Sequence, residues 1–230
     1  MLRLGKTTLT ALLATALLAG CSGDGRGTVI GTDDRADEPG LLEHDQEFRQ
    51  GDLGVESTDF QALNASGLRQ VWPSPGLADR AGEAVSNVVS TATSYFGTPY
   101  EYGSDRNEPS TFDCSDFARW AYLFALGMDL PLDSRSQALY VRQFSARSYT
   151  TLASARPGDL LFFRAYRGVT PDAYAGADDT IAHVGIYIGN DRMVHTASAQ
   201  TGGVRIDGLT GSHFEYRFVL GGSVLEQIRK

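Results

Sequence analysis

Cysteine is almost absent: the 230 residues hold two, Cys21 and Cys114. Two cysteines cannot build a disulfide scaffold or a cysteine-rich metal site. Basic residues are also short, with 20 Lys and Arg against 28 Asp and Glu and a formal net charge of −8. That balance argues against a domain-wide basic surface, so no nucleic-acid partner is expected. No apolar run reaches the roughly 20 residues that a membrane-spanning helix needs. The four histidines show no His-x-x-x-His spacing of the kind that holds zinc, and no metal or other cofactor is expected. No internal repeat is visible. What remains is a chain with 42% hydrophobic residues, enough for one compact domain plus extra segments.

The N-terminus is the first such segment. Arg3 and Lys6 precede an apolar stretch of Leu, Ala and Thr from Thr7 to Ala19, followed by Gly20 and Cys21. A basic start, a short apolar core and small residues before a cleavage point read as a secretory signal over residues 1–20. Gly5-Lys6-Thr7-Thr8 lacks the leading glycine and preceding strand of a phosphate-binding loop. Leu18-Ala19-Gly20-Cys21 resembles the lipobox of bacterial lipoproteins. That resemblance implies diacylglycerol on the Cys21 thiol, cleavage before it and acylation of the new amino terminus. Two or three acyl chains suffice for stable anchoring to a membrane. Ser22, in place of an aspartate, implies by the same resemblance an outer-membrane anchor facing the periplasm.

Loss of residues 1–20 would leave a charge of −10, of which −7 falls in residues 22–70 and only −3 in residues 71–230. A Gly, Asp and Glu-rich stretch with few large apolar residues cannot offset its ordering entropy. Residues 21–75 therefore read as an acidic flexible tether and residues 76–230 as the domain. Leu63, Leu68, Val71 and Trp72 are candidates to dock on it, with Pro73-Ser74-Pro75 marking its edge.

Ala81, Val85, Val88, Ala92 and Tyr95 recur at helical spacing, and Gly97 follows where a helix would stop. Phe117, Ala121, Phe124 and Ala125 mark a second helix, ended by Gly127, with Asp113 as N-cap and Asp116 three residues on. Cys114 thus falls in the first turn of a buried helix. Free amides and the positive dipole end there are expected to lower a thiol pKa and to hold an oxyanion. Helix position alone leaves a reactive thiol and a small buried side chain equally open. A lone thiol outside the cytoplasm favours the first.

Of the histidines, His44 falls in the tether and His213 in a Gly-Ser turn region, and both are expected to be solvated. Ile181 to Ile188 alternates, with Ala182, Val184, Ile186 and Ile188 on a core face and His183, Gly185 and Tyr187 on the other. Gly189-Asn190-Asp191 reads as a turn and Arg192 to Ser198 as the returning strand. With a three-residue loop, His195 lies opposite Gly185, one diagonal step from His183 on the same face. A two-residue loop would send the histidines to opposite faces. If they meet, Cys114, His183 and His195 supply a nucleophile, a base and an orienting group for acyl transfer.

These segments together resemble the NlpC family of bacterial cell-wall cysteine peptidases, a compact papain-like group. The resemblance rests on Gly97-Thr98-Pro99-Tyr100, Asp113-Cys114-Ser115, Leu130-Pro131 with Ser134 and Gln137, and Pro157-Gly158-Asp159-Leu160-Leu161-Phe162-Phe163. It continues through His183-Val184-Gly185-Ile186-Tyr187-Ile188-Gly189 and Met193-Val194-His195, covering about residues 80 to 222. It implies an α+β fold in which a helical half carrying the nucleophile packs on a central antiparallel sheet carrying the histidines. It also implies Cys114 as nucleophile, His183 as base, His195 as orienting member and Tyr100 beside the oxyanion, with Asp113 and Ser115 helping to position substrate. The implied partner is a peptidoglycan stem peptide, cut between D-γ-glutamate and the diamino acid. Two other readings stay open: an amidase or acyltransferase on a different acyl donor, and a catalytically silent wall-binding scaffold. Three departures bear on substrate choice. Asp116 replaces the glycine usual after Asp-Cys-Ser, Ser104 replaces a common glycine after Tyr102-Gly103, and Arg164 to Thr180 is a long connection. Asp116, Tyr166 and Tyr174 are therefore specificity candidates, and the long connection is expected to form a groove wall or to be disordered.

Overall fold

Small apolar residues one turn apart let two helices approach closely, and that contact sets the helical layer. In the computed structural model, which describes residues 67–77 and 81–229, helix α1 is Ala81–Ser94 and α2 is Cys114–Leu126. Ala84, Val88 and Ala92 of α1 are buried in one core with Phe117, Ala118 and Ala121 of α2. Helix α3, Ser134–Phe144, is capped by Asp133, whose side chain accepts the Ser136 N–H. The signal-like segment, Cys21, His44 and the tether as far as residue 66 lie outside the described residues. Leu68 and Val71 pack against the core, and the Tyr140 hydroxyl bonds both Val71 N–H and C=O, so the chain joins the domain ahead of Pro73. Trp72 stays 44% exposed under the Arg229 guanidinium. Phe124, read as part of the buried stripe of α2, instead stacks on Trp120 and is 56% exposed.

Six strands follow, β1 Ser148–Tyr149, β2 Leu160–Arg164, β3 Ile181–Gly189, β4 Arg192–His195, β5 Arg205–Gly208 and β6 Phe218–Gly222. They form one antiparallel sheet in the order β1-β6-β2-β3-β4-β5. A helical layer on an antiparallel sheet is the α+β architecture expected from the sequence. Alternation assigns Leu160, Phe162, Val184, Ile186 and Val194 to the helix-covered face. Leu161, Phe163 and Met193 face the opposite side, where Phe214 of the short helix α4, His213–Arg217, closes a second cluster.

The turn is not the expected three-residue loop: Gly189 pairs with Arg192 around the two residues Asn190 and Asp191, both at positive φ, and a bulge between Tyr187 and Gly189 restores the pairing of Ile186 with Val194 and Tyr187 with Met193. This register puts His195 across from Gly185. A Cβ built on Gly185 would stand 2.7 Å from Met193 Sδ and 3.2 Å from His195 Cβ, so only glycine leaves this space open.

Strand β2 starts at a buried charge. The Asp159 carboxylate receives both Arg147 Nη atoms at 2.9 and 2.5 Å, the Tyr149 hydroxyl at 2.8 Å and the Arg156 N–H at 2.8 Å. Four donors satisfy it, and removing it strands a partly buried guanidinium. Asp159→Ala should therefore destabilise the fold by about 3–5 kcal/mol in urea unfolding; a loss below about 1 kcal/mol would show that the ion pair is dispensable.

Candidate active site

Cys114 opens α2 because Asp113 caps it. The Asp113 side chain accepts the Asp116 N–H at 2.8 Å and the Ser115 hydroxyl at 2.8 Å, and pairs with Arg106 Nη2 at 2.6 Å. Strand β4 ends at His195, whereas β3 continues back to Ile181, and the first turn of α2 meets that extension. The Cys114 sulfur faces the backbone N–H groups of Val184 and Ser115, and the residue is 2% exposed. Burial and the neighbouring Asp113 charge push the thiol up to about 12, outweighing the two amides and Arg106, which act the other way. The lowered thiol pKa expected from helix position is thus corrected. Helix amides pull in the anticipated direction, but desolvation wins. Such a thiol reacts only with a base beside it.

The residue expected from the sequence as that base is His183, which directly precedes Val184. His183 Nε2 lies 2.9 Å from His195 Nδ1, and His195 Nε2 lies 2.8 Å from Asp207 Oδ2. Phe214 backs both rings, at 5.1 Å from His195 and 6.2 Å from His183. Asp207, on β5, was not anticipated from the sequence. Although burial opposes its charge, the His195 contact and Arg205, at 3.0 and 2.9 Å from Oδ1, hold its carboxyl below the usual range. An ionised carboxylate only accepts, so His195 donates from Nε2 and presents a bare Nδ1. His183 then donates from Nε2, which leaves its Nδ1 lone pair as the basic one. Three residues therefore form a chain in which Asp207 fixes His195 and His195 fixes His183, the residue before the Val184 amide that faces the Cys114 sulfur.

The remaining candidates separate. Tyr100 stands at the neck of a loop, bridged to Phe112 two residues before Cys114. The Ser115 hydroxyl donates to Asp113 inside the cap, and its amide faces the sulfur. Asp116 does not face a groove. It is fully buried, accepts from the Ser104 hydroxyl at 2.9 Å, and lies 3.5 Å from Arg106 and 3.9 Å from Arg119. Burial, only partly offset by these partners, raises its pKa to about 6.

The 164–180 connection is ordered around a 3-10 turn, Pro171–Tyr174. Tyr166 packs against Ala197, two residues past His195, and edge-on to His213 at 5.1 Å, which keeps it at the histidine end of the site. Tyr174 is corrected from specificity candidate to internal staple, its hydroxyl donating to Gly168 C=O and accepting the Arg167 N–H. His213 is not solvated either. It lies between Tyr166 and Phe214, and burial together with Arg217 lowers its pKa to about 3, so it is neutral at physiological pH. Among the described residues, no three His, Cys, Asp or Glu side chains group as a metal site.

A cysteine at a helix N-terminus set against a histidine relay on an antiparallel sheet defines the papain-like class. Within it, the chain belongs to the NlpC/P60 family, whose model matches residues 97–222. A protein of Listeria welshimeri named probable endopeptidase p60 is 37% identical over 126 residues, 54% of this chain but 19% of that protein. The peptidoglycan DL-endopeptidase CwlO of Bacillus licheniformis is 28% identical over 152 residues, 64% of this chain and 29% of CwlO. The chain thus spans less than a third of the length of these relatives. Among solved structures, the NlpC/p60 domain of the peptidoglycan hydrolase SagA aligns with a TM-score of 0.44 and 27% identity, covering 60% of this chain and 97% of that domain.

The raised Asp116 pKa carries a stability consequence. Between about pH 4 and pH 6 the folded chain binds a proton at this site that the unfolded chain releases, so stability falls as pH rises through that window. Above pH 6 the whole penalty is in place. Asp116→Asn should therefore raise stability at pH 7.5 by about 1–3 kcal/mol and leave it nearly unchanged at pH 4. Thermal unfolding at the two pH values checks this, and an equal effect at both would show that charge is not the cause.

Proposed function

We propose that this chain is a cysteine endopeptidase that hydrolyses peptidoglycan stem peptides, at the bond between D-γ-glutamate and the diamino acid. Cys114 is the nucleophile, His183 the base, and His195 with Asp207 the orienting pair. The proposal places it in the cell envelope, anchored by lipid on Cys21 and facing the periplasm. One observation carries the chemistry: the hydrogen-bonded run from Asp207 through His195 to His183 ends where the Val184 amide faces the Cys114 sulfur. The substrate class is supported by the names of the relatives, probable endopeptidase p60 and peptidoglycan DL-endopeptidase CwlO.

The steps follow from the parts. His183 Nδ1 takes the Cys114 proton as sulfur attacks the amide carbonyl, which avoids a free thiolate in a site that disfavours it. The oxyanion forms over the first-turn amides of α2, with Tyr100 beside it. Collapse breaks the C–N bond, and His183 returns its proton to the leaving amine. Water, deprotonated by the same imidazole, then cleaves the thioester and restores the thiol. Throughout, the Asp207 charge stabilises the imidazolium that His183 and His195 share.

Stem-peptide fragments incubated with the full chain and resolved by mass spectrometry should yield a product with a free diamino-acid amine. Cys114→Ala should lose about 10³-fold or more of this activity; cleavage at an undiminished rate by that variant would overturn the assignment. Asp207→Ala should lower kcat by about 10–100-fold while KM changes little, as for other groups that orient a reacting histidine. Labelling cells with an alkyne analogue of palmitate should mark the chain but not Cys21→Ala.

A further inference from the structure

Ser104 and Asp116, the two departures near Cys114 from the pattern that the family resemblance implies, touch each other. The Ser104 Oγ makes three contacts of 2.9 Å: it donates to Asp116 Oδ2, accepts the Asp113 N–H and accepts from Arg106 Nη1. One hydroxyl proton and two lone pairs allow just this set. Its direction depends on Asp116, the one partner of the three that accepts. With its proton committed there, Ser104 has lone pairs for the Asp113 amide, the backbone step before Cys114.

The same unit holds the loop that carries Tyr100. Its neck is closed by the Tyr100–Phe112 bridge and by the Glu101 N–H on Phe112 C=O at 3.1 Å. Its middle is clamped by Ser104 and by Arg106, which lies 2.6 Å from Asp113 and 3.5 Å from Asp116. Arg119 Nη1 donates to Arg106 C=O at 2.9 Å, and Arg119 in turn meets Asp129. The charged groups facing Asp116 are therefore Arg106 from the loop, Asp113 from the N-cap and Arg119 from its own helix. Its second oxygen, Oδ1, is buried without a hydrogen bond. A carboxylate so poorly satisfied costs stability at neutral pH, and a cavity filler would serve packing better.

We propose that Ser104 and Asp116 form one positioning unit that holds the Tyr100–Phe112 loop and the N-terminus of α2 in reacting register. This rests on Cys114 being the nucleophile. Neither side chain reaches the reacting atoms; both act through the backbone at Asp113 and through Arg106. A displacement of the order of 1 Å between nucleophile and oxyanion donors is enough to cost large factors in rate. The unit therefore governs turnover, and substrate affinity is set elsewhere.

The test uses the full-length wild type, Ser104→Ala, Asp116→Ala, their double variant and Asp116→Asn, each checked for native melting. Each alanine variant should lower kcat on stem peptide about 10-fold with KM within about 2-fold of wild type. Because the pair acts as one unit, the double variant should lose about 10–20-fold, well short of the product of the singles. Asp116→Asn keeps the acceptor for Ser104 and should recover to within about 3-fold of wild type. A roughly 100-fold loss in the double variant, a change confined to KM, or an asparagine variant as poor as alanine overturns the proposal. If wild type releases no amine from any stem peptide, the substrate reading fails by itself. The rate of Cys114 alkylation by iodoacetamide, read on the Cys114 peptide by mass spectrometry, then carries the same test. Non-additive losses support the unit, and additive ones overturn it.

Discussion

The 2.9 Å contact between His183 Nε2 and His195 Nδ1 is the constraint on which the site depends. It exists because of register. Asn190 and Asp191 both take positive φ in the turn, Thr210 bonds the Asp191 carboxylate with its N–H and hydroxyl, and the Asp191 N–H donates to the Tyr187 hydroxyl. The turn is thereby held at both ends, and Gly185 supplies the space His195 fills. A slip of one residue would turn His195 toward the helices and put Val194 against His183. Chemistry in this molecule is downstream of hairpin geometry.

The second constraint is the unequal length of β3 and β4. Where β4 stops, β3 still offers backbone amides, and the first turn of α2 docks there. This places the thiol against the step between His183 and Val184. The same burial that fixes the sulfur also makes its ionisation costly, and helix-end amides do not compensate. A resting thiol and a histidine whose basic nitrogen is dictated by Asp207 are therefore complementary parts. In the proposed reaction, proton transfer is deferred until the carbonyl arrives to share the charge.

Much of this was readable from the sequence, for identifiable reasons. Alternation over Ile181 to Ile188 made the histidine-bearing face legible because its period is local, whereas the turn is two residues long and the pairing is reached through a bulge between Tyr187 and Gly189 that the sequence did not signal. The helix of Cys114 followed from Asp113, Gly127 and the apolar spacing between them. Asp207 escaped because β5 is four half-buried residues reached through a nine-residue connection after His195, with no alternation to announce a strand. Its role depends on a diagonal neighbour across β4. His213 and Tyr174 were misplaced for a similar reason, since polar loop residues bury only when another element, here α4 or the 3-10 turn, closes over them. The specificity role expected of Asp116 rests on its departure from the glycine usual after Asp-Cys-Ser, which carries no information on where the side chain points. Its direction was decided instead by the three-residue step along α2, which carries it under the cap and toward Ser104.

Two buried carboxylates show how differently the fold treats charge. Asp159 receives four donors, two from one guanidinium fork, and ties β2 to the 147–156 segment; its partners repay its desolvation. Asp116 has a single short hydrogen bond, two guanidinium groups at 3.5 and 3.9 Å, and one oxygen with no donor. The shared partner Arg106 explains the difference. It commits its short contact to Asp113, at 2.6 Å, and cannot close on Asp116 without leaving the cap. The N-cap of α2 thus takes the better share of the available positive charge, and Asp116 is left under-solvated one turn away. On the proposed positioning role, stability at that point is subordinate to the placement of the Asp113–Cys114 backbone, the step on which the thiol, the first-turn amides and the loop converge.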